Sequence, residues 1–313
     1  MNPTSAELDF GEDGFAEHYE AWIRPKLAEL EAMRRKWLWM WMCLAAILLI
    51  GVMSVATLST EVSWMFALFA CFATFLAVLS RYKRKLKQML MPIICDFFKD
   101  NKLQYHSFRE GQIEQKVAQR LYSYTNLTID DSFTGTHLGY DFLVDDVRIT
   151  RVTHNGKNRH EETLFSGLVL GIVGNHLFVD EVAVCRNRRK PNDRKFQRIL
   201  LEDVQFEKMY NTFGTNQIAA RRLLEPRKME QIIAAAGRIG SVGTAEFMFL
   251  EEGFFLFVSS SKDHFEFKSI LTSVYKTDAI KEVLTDIRVA LGLIETLQKE
   301  KILPHLKCDP HLF

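Results

Sequence analysis

The chain ends in PHLKCDPHLF, which sets His305, Cys308 and His311 at three-residue steps. Imidazole nitrogen and thiolate sulfur are zinc ligands, so this tail is the first candidate for a metal centre. No fourth ligand stands beside them except Asp309, and Pro304 and Pro310 favour a frayed terminus. The carboxylate pairs Asp130-Asp131 and Asp145-Asp146 are candidates for acid–base work, and His137, His154, His160 and His176 fall in the same region. Both acidic pairs also sit where a strand would end or bulge. Gly167, Gly171 and Gly174, and again Gly237, Gly240 and Gly243, are spaced glycines without the GxGxxG or P-loop pattern that cradles phosphate. Close strand packing accounts for the first set, and a helix stop for the second. No nucleophile elbow, zinc-protease helix or kinase-type set occurs.

The strongest polar feature is the run RNRRKPNDRKFQR. It places Arg186, Arg188, Arg189, Lys190, Arg194, Lys195 and Arg198 on one short connection. Such a run binds anionic lipid or an acidic protein surface, including the acidic N-terminus of another copy, or it stands solvated as an ordinary loop. Nucleic acid is not expected. The run carries no interleaved aromatic platform, and 40 Lys and Arg balance 39 Asp and Glu across the chain. No cofactor is implied.

These residues must be positioned by something, and the chain is organised around two apolar stretches. Trp37 to Leu58 and Val62 to Ser80 contain no charge and are separated by Ser59-Thr60-Glu61. Each approaches the roughly 20 residues that a helix needs to cross a bilayer. The spacing predicts a transmembrane hairpin over 37–80. Arg24, Lys26, Arg34, Arg35 and Lys36 precede it, Arg81, Lys83, Arg84, Lys85 and Lys87 follow it, and the tip carries only Glu61. By the positive-inside rule both termini are then cytoplasmic. Trp37, Trp39 and Trp41 would mark the inner interface and Trp64 the outer one. Ala67, Ala70, Cys71, Thr74 and Ala77 recur on the second stretch, either as a close-packing stripe or simply as an Ala-rich span. Neither span holds an ionisable group, which argues against a transport path.

The five cysteines are scattered without a CxxC pair, so no disulfide framework is expected. Residues 1–36 read as an acidic, irregular start followed by an amphipathic helix: Phe15, Tyr19, Trp22, Ile23, Leu27, Leu30 and Met33 repeat at helical steps, with Pro25 as a kink. Residues 81–313 read as a cytoplasmic α+β domain. Its helices are expected over Ile93–Lys99, opened by Pro92, and over Gly111–Tyr122. Strands are expected over Thr128–Thr136, Tyr140–Thr153 (bulged at Asp145-Asp146), Thr163–Val173 and Leu177–Val184. LFSGLVLGIVG, apolar on both faces, predicts a central strand. Helices follow at Asp203–Tyr210, Asn216–Leu224 capped by Thr215, and Arg227–Ala236 stopped by Gly237. A hairpin of Ala245–Leu250 and Phe254–Ser259 buries Phe247, Phe249, Phe255 and Phe257. His264–Ile270 adds a strand, and a long helix, Asp278 to Lys299, closes the fold. The sheet is expected to be curved and mostly antiparallel.

The block LEDVQFEKMYNTFGTNQIAARRLLEPRKMEQI, Leu201 to Ile232, carries Glu202 and Asp203, Phe206, Phe213, Ala220-Arg221 and Leu224-Glu225-Pro226 in the order of a family signature. With Phe165-Ser166-Gly167 and the helix–hairpin–domain order, the chain resembles the bacterial membrane-protein family known as domain of unknown function 3137. The resemblance implies an inner-membrane protein, and a shared complex with LemA-type membrane proteins. It implies no activity and supplies no catalytic residues. The expected role is a non-catalytic, membrane-anchored scaffold or adaptor that binds a protein partner, another copy of itself or anionic lipid. The alternative is an enzyme working at the membrane surface.

Overall fold

The computed structural model describes residues 23–56, 62–98, 101–156, 158–239, 245–260 and 278–299, with residues 264, 265, 273, 275 and 303. The chain divides into two units, Met1–Asp100 with Glu266–Lys281, and Asn101–Phe265 with Glu282–Phe313.

The first unit is built on two long helices, α1 (Arg24–Ala56) and α2 (Val62–Phe97). They pack on each other as a hairpin, with the Trp41 and Phe75 rings 5.0 Å apart. Pro25 falls in the first turn of α1, where a missing N–H costs nothing, so it does not divide the helix. Pro92 opens no separate helix either, because α2 runs through it to Phe97. The base of the hairpin buries an i, i+4 stripe of Tyr82, Leu86, Leu90 and Ile94, together with Leu27 and Leu30. Higher up, the helices turn apolar side chains outward: Trp39 is 66 % exposed, Ile47 66 % and Phe69 71 %, with Met40, Met42, Leu44, Ile50, Phe72 and Leu76 also exposed. Among the described residues no helix is long and apolar enough to cross a membrane. Much of the expected hairpin lies outside that description: residues 57–61 altogether, and the side chains of 48–49, 52–56, 62–68 and 70–71. At the base Glu31 takes two hydrogen bonds from Arg34, at 2.6 and 3.0 Å, and one from Ser273 Oγ at 3.2 Å. The amphipathic segment before Ile23, the zinc-ligand tail and nearly all of the His264–Ile270 strand fall outside the described residues, and His264 and Phe265 form a turn.

The second unit is α+β. Among the described residues its nine strands are β1 (Gln104–Ser107), β2 (Asn126–His137), β3 (Tyr140–Asn155), β4 (Asn158–Val173), β5 (Val182–Arg186), β6 (Gln197–Ile199), β7 (Tyr210–Gly214), β8 (Ala245–Leu250) and β9 (Gly253–Ser259). They form one antiparallel sheet in the order β1-β2-β3-β4-β9-β8-β5-β7-β6. Around it lie α3 (Gln112–Leu121), α4 (Val204–Met209), α5 (Gln217–Leu223), α6 (Pro226–Ile239) and, beginning in the other unit, α7 (Asp278–Lys299). β4, β8 and β9 are the apolar runs of the sequence. They sit at the centre of the sheet, where β8, β9 and the second half of β4 are buried on both faces, as continuous apolar strands require. One face packs under α3, where Tyr122, Phe165 and Phe257 bring their rings within 5.5–6.1 Å of one another. Gly167 is where β4 meets the end of β9: its φ is +149°, and a Cβ there would lie 2.2 Å from the Val258 carbonyl oxygen.

Several expectations are corrected. The bulge faces Asp146 rather than containing it, because the register slips on β2 between Ile129 and Asp131. Residues 177–181 are irregular and β5 begins at Val182. Asn216, not Thr215, caps α5, accepting from the N–H groups of Ile218 and Ala219. Thr215 instead ties its backbone N–H and its hydroxyl to the Glu181 carbonyl oxygen. Gly237 lies within α6, which runs on to Ile239.

Candidate functional site

The basic run joins β5 to β6, and the fold fastens it down. Asn187 donates from its backbone to Met209 O and from its side chain to Lys208 O, at 2.9 Å each. The backbone N–H groups of Asn192 and Asp193 reach Arg120 O at 2.7 and 3.1 Å, and Asn192 Nδ2 reaches Gln119 O at 3.0 Å. The loop therefore caps the last carbonyls of α3, which a helix leaves without intrahelical partners. The Asp193 carboxylate in turn accepts from Lys195 N, closing a local turn.

Its cations divide into two groups. Arg186, Arg189, Lys195 and Arg198 are paired internally. Arg189 donates to Glu246 Oε2 at 2.9 Å and stacks over the Tyr122 ring, 4.4 Å from its centroid. Arg186 lies 3.7 Å from Glu246 and donates its backbone N–H to the same carboxylate at 3.2 Å. Tyr122 Oη donates to Glu246 at 2.6 Å. Glu246 is 1 % exposed, so this arrangement is a buried charge that is compensated and hydrogen-bonded. Lys195 pairs with Glu181, and Arg198 with Glu207. Arg120 lies behind the loop as a hub, with both Glu181 oxygens at 2.8 Å and Glu252 at 3.0 Å. Arg188, Lys190 and Arg194 are exposed and have no ion pair among the described residues. Arg188 holds φ +66° at the turn.

Burial pushes the Tyr122 hydroxyl well above its ordinary pKa, and Glu246 adds to the shift. The same two causes raise the Cys185 thiol, so this cysteine is a packed side chain and not a nucleophile.

Beside the loop lies an open cleft of about 860 Å³, within the usual range for ligand sites. Gln115, Gln119, Tyr124, Asn126, Arg148 and Asn192 line it, so the loop supplies part of one wall. Arg148 has no ion pair among the described residues.

The other candidates are dispersed. Asp131 accepts from Tyr105 Oη, whereas Asp145 is bound to Arg109 at 3.2 Å. His137 is buried between Asn101 (2.7 Å) and Glu295 (3.0 Å), and His176 pairs with Glu251. His154 and His160 stand exposed on the β3–β4 ribbon. Among the described residues no three His, Cys, Asp or Glu side chains gather as a metal site. Gly171 meets Leu143 and Phe255, as close strand packing requires.

The residues that sequence reasoning missed are the acids: Glu181, Glu207, Glu246 and Glu252. Glu246 did carry a signal, since it is the one charge in the apolar strand AEFMFL and a charge placed there must find a partner.

Residues 163–299 match the model of a family described as a protein of unknown function (DUF3137), from within β4 to the end of α7. Over that span the chain resembles this family. No curated protein matches the chain. Among solved structures it is similar to the mycobacterial trehalose monomycolate transport factor A, TtfA, at 11 % identity, over 68 % of this chain and 94 % of that one, with a TM-score of 0.37.

Proposed function

We propose that the chain is a membrane-anchored, non-catalytic binding module of the bacterial inner membrane. Residues 37–58 and 62–80 cross the bilayer, both termini are cytoplasmic, and the sheet domain offers the β5–β6 loop to an acidic partner surface. The observation that carries this reading is the set of outward-facing apolar side chains, Trp39, Met40, Met42, Leu44, Ile47 and Ile50 on α1 and Phe69, Phe72 and Leu76 on α2, with basic residues before the first apolar stretch and after the second. An apolar surface of that length is untenable in water and matched to a bilayer.

The binding face is the subset of loop cations that the fold leaves uncompensated: Arg188, Lys190 and Arg194. Near an anionic surface each is worth about 1 kcal/mol, so together they supply roughly a hundredfold in affinity. The test is mild-detergent co-purification of the full-length chain beside the triple variant Arg188→Ser, Lys190→Ser, Arg194→Ser. The expected result is a stoichiometric companion, protein or anionic lipid, that the variant loses while remaining folded. An unchanged set of companions would overturn the assignment of the loop. Arg186 and Arg189 are left intact because they hold Glu246. One observation favours the second reading, an enzyme at the membrane surface: the 860 Å³ cleft beside the same loop.

A further inference from the structure

The first turn of α3 closes over a second buried charge cluster that plays no part in the loop. Arg109 Nη2 donates both to Glu114 Oε1 and to Asp145 Oδ2. Held by one nitrogen atom, the two carboxylates are neighbours. Asp145 is 0 % exposed and Glu114 2 %. Four polar atoms at this place are buried without a hydrogen-bond partner: Asp145 Oδ1, Glu114 Oε2, Arg109 Nε and Ser132 Oγ. Ser132 is the cross-strand neighbour of Asp145 on β2.

Two ionised carboxylates, both buried, facing one guanidinium that is itself only a quarter exposed leave a net negative charge away from solvent. Such a charge is far too costly to keep, and the group neutralises instead. Among the described residues no second cation pairs with either carboxylate. On β1, His106 sits beside Arg109 and bonds Thr134 at 3.3 Å, and the Arg109 charge works with burial to keep its imidazole neutral. On β2, Asp131 is held by Tyr105. On β4, the residue opposite Asp145 is Val169. The Glu114 carboxylate is packed close against the backbone of Gly111, where a Cβ would lie 2.1 Å from its Oε2.

We propose that Asp145, packed against Glu114 on the same guanidinium nitrogen, is a proton-binding site that holds its proton at neutral pH, and that losing this proton loosens α3 and the β5–β6 loop capped onto it. The geometry provides the link. Glu114 is in the first turn of α3, while Gln119 and Arg120, whose carbonyls receive Asn192 and Asp193, are in its last turn. All three belong to the single ten-residue helix Gln112–Leu121. Burial and the Glu114 charge both raise the Asp145 pKa well above its ordinary value. The folded domain therefore holds the proton more tightly than the unfolded chain does. The stability this contributes is complete below the unfolded carboxylate pKa, about 3.9, and is lost as pH rises through the folded value.

The part about the loop rests on reading it as the binding face; the proton site does not. Infrared spectroscopy of the full-length protein at pH 7 should show a protonated carboxylic-acid band that is missing from Asp145→Asn. If the wild type has no band that this substitution removes, the proton site is overturned, whatever the loop binds. Hydrogen exchange then tests the link. Between the pKa of a solvated carboxylate and the folded value, exchange in residues 187–196 of the wild type should exceed its ordinary base dependence by up to about tenfold per pH unit, while Asp145→Asn shows no such excess. Equal profiles would overturn the coupling and leave the binding role of the loop standing. Glu114→Gln, which also keeps one neutral partner, provides a second variant should Asp145→Asn fold poorly.

Discussion

Glu246→Ala is expected to destabilise the sheet domain by about 3–5 kcal/mol, the cost of breaking a buried ion pair from one side. The size follows from what the substitution strands. Arg189, stacked over the Tyr122 ring, loses its carboxylate, the buried Tyr122 hydroxyl loses its acceptor, and the Arg186 N–H is left without this partner. These groups join β5, β8, the end of α3 and the loop, so the loss spreads across the sheet. Glu246→Gln should cost less, since the amide oxygen still accepts from Tyr122 and only the charge of Arg189 is stranded. Thermal unfolding of the full-length protein in detergent, with proteolysis of the sheet domain as readout, measures both. Equal melting of wild type and Glu246→Ala would mean that the cluster is not formed as described.

The second large effect lies in the hairpin. Ile47 is 66 % exposed near the middle of the first apolar stretch. If that surface faces lipid, Ile47→Arg opposes insertion by about 3 kcal/mol, the difference between an apolar and a charged residue at a helix centre. The variant should then appear as a large soluble or degraded fraction. If the surface faces water, the same change replaces exposed apolar area with charge and is harmless or favourable. The two environments give opposite signs, so the fraction of variant recovered in membranes decides between them.

How much of this was legible beforehand depends on whether the cause was local. The hairpin follows from composition alone. β8 matches its expected bounds and β9 gains one residue, because Ala245–Leu250 and Gly253–Ser259 are apolar runs around a Glu-Glu-Gly turn. β1, β6 and β7 were invisible. QYHS and QRI are short and polar, and YNTFG has the look of a turn; each is a strand because a neighbour offers it a ladder. The α5 cap was misplaced by one residue because Thr215 and Asn216 are both good caps and only tertiary contacts choose between them. The site was half legible. The cations were plain as a run, but their meaning was not. The acids that neutralise four of them come from β8, from the segment before β5 and from α4, and no spacing along the chain encodes those pairings. Three cations remain as a surface once the pairings are known.

The central claim is that the α1–α2 hairpin anchors the chain in a bilayer. An alkaline carbonate wash of membranes from cells expressing the full-length protein tests it most directly. A bilayer-spanning hairpin should keep the protein in the membrane pellet under conditions that strip peripheral proteins. Recovery of the chain in the supernatant would contradict it.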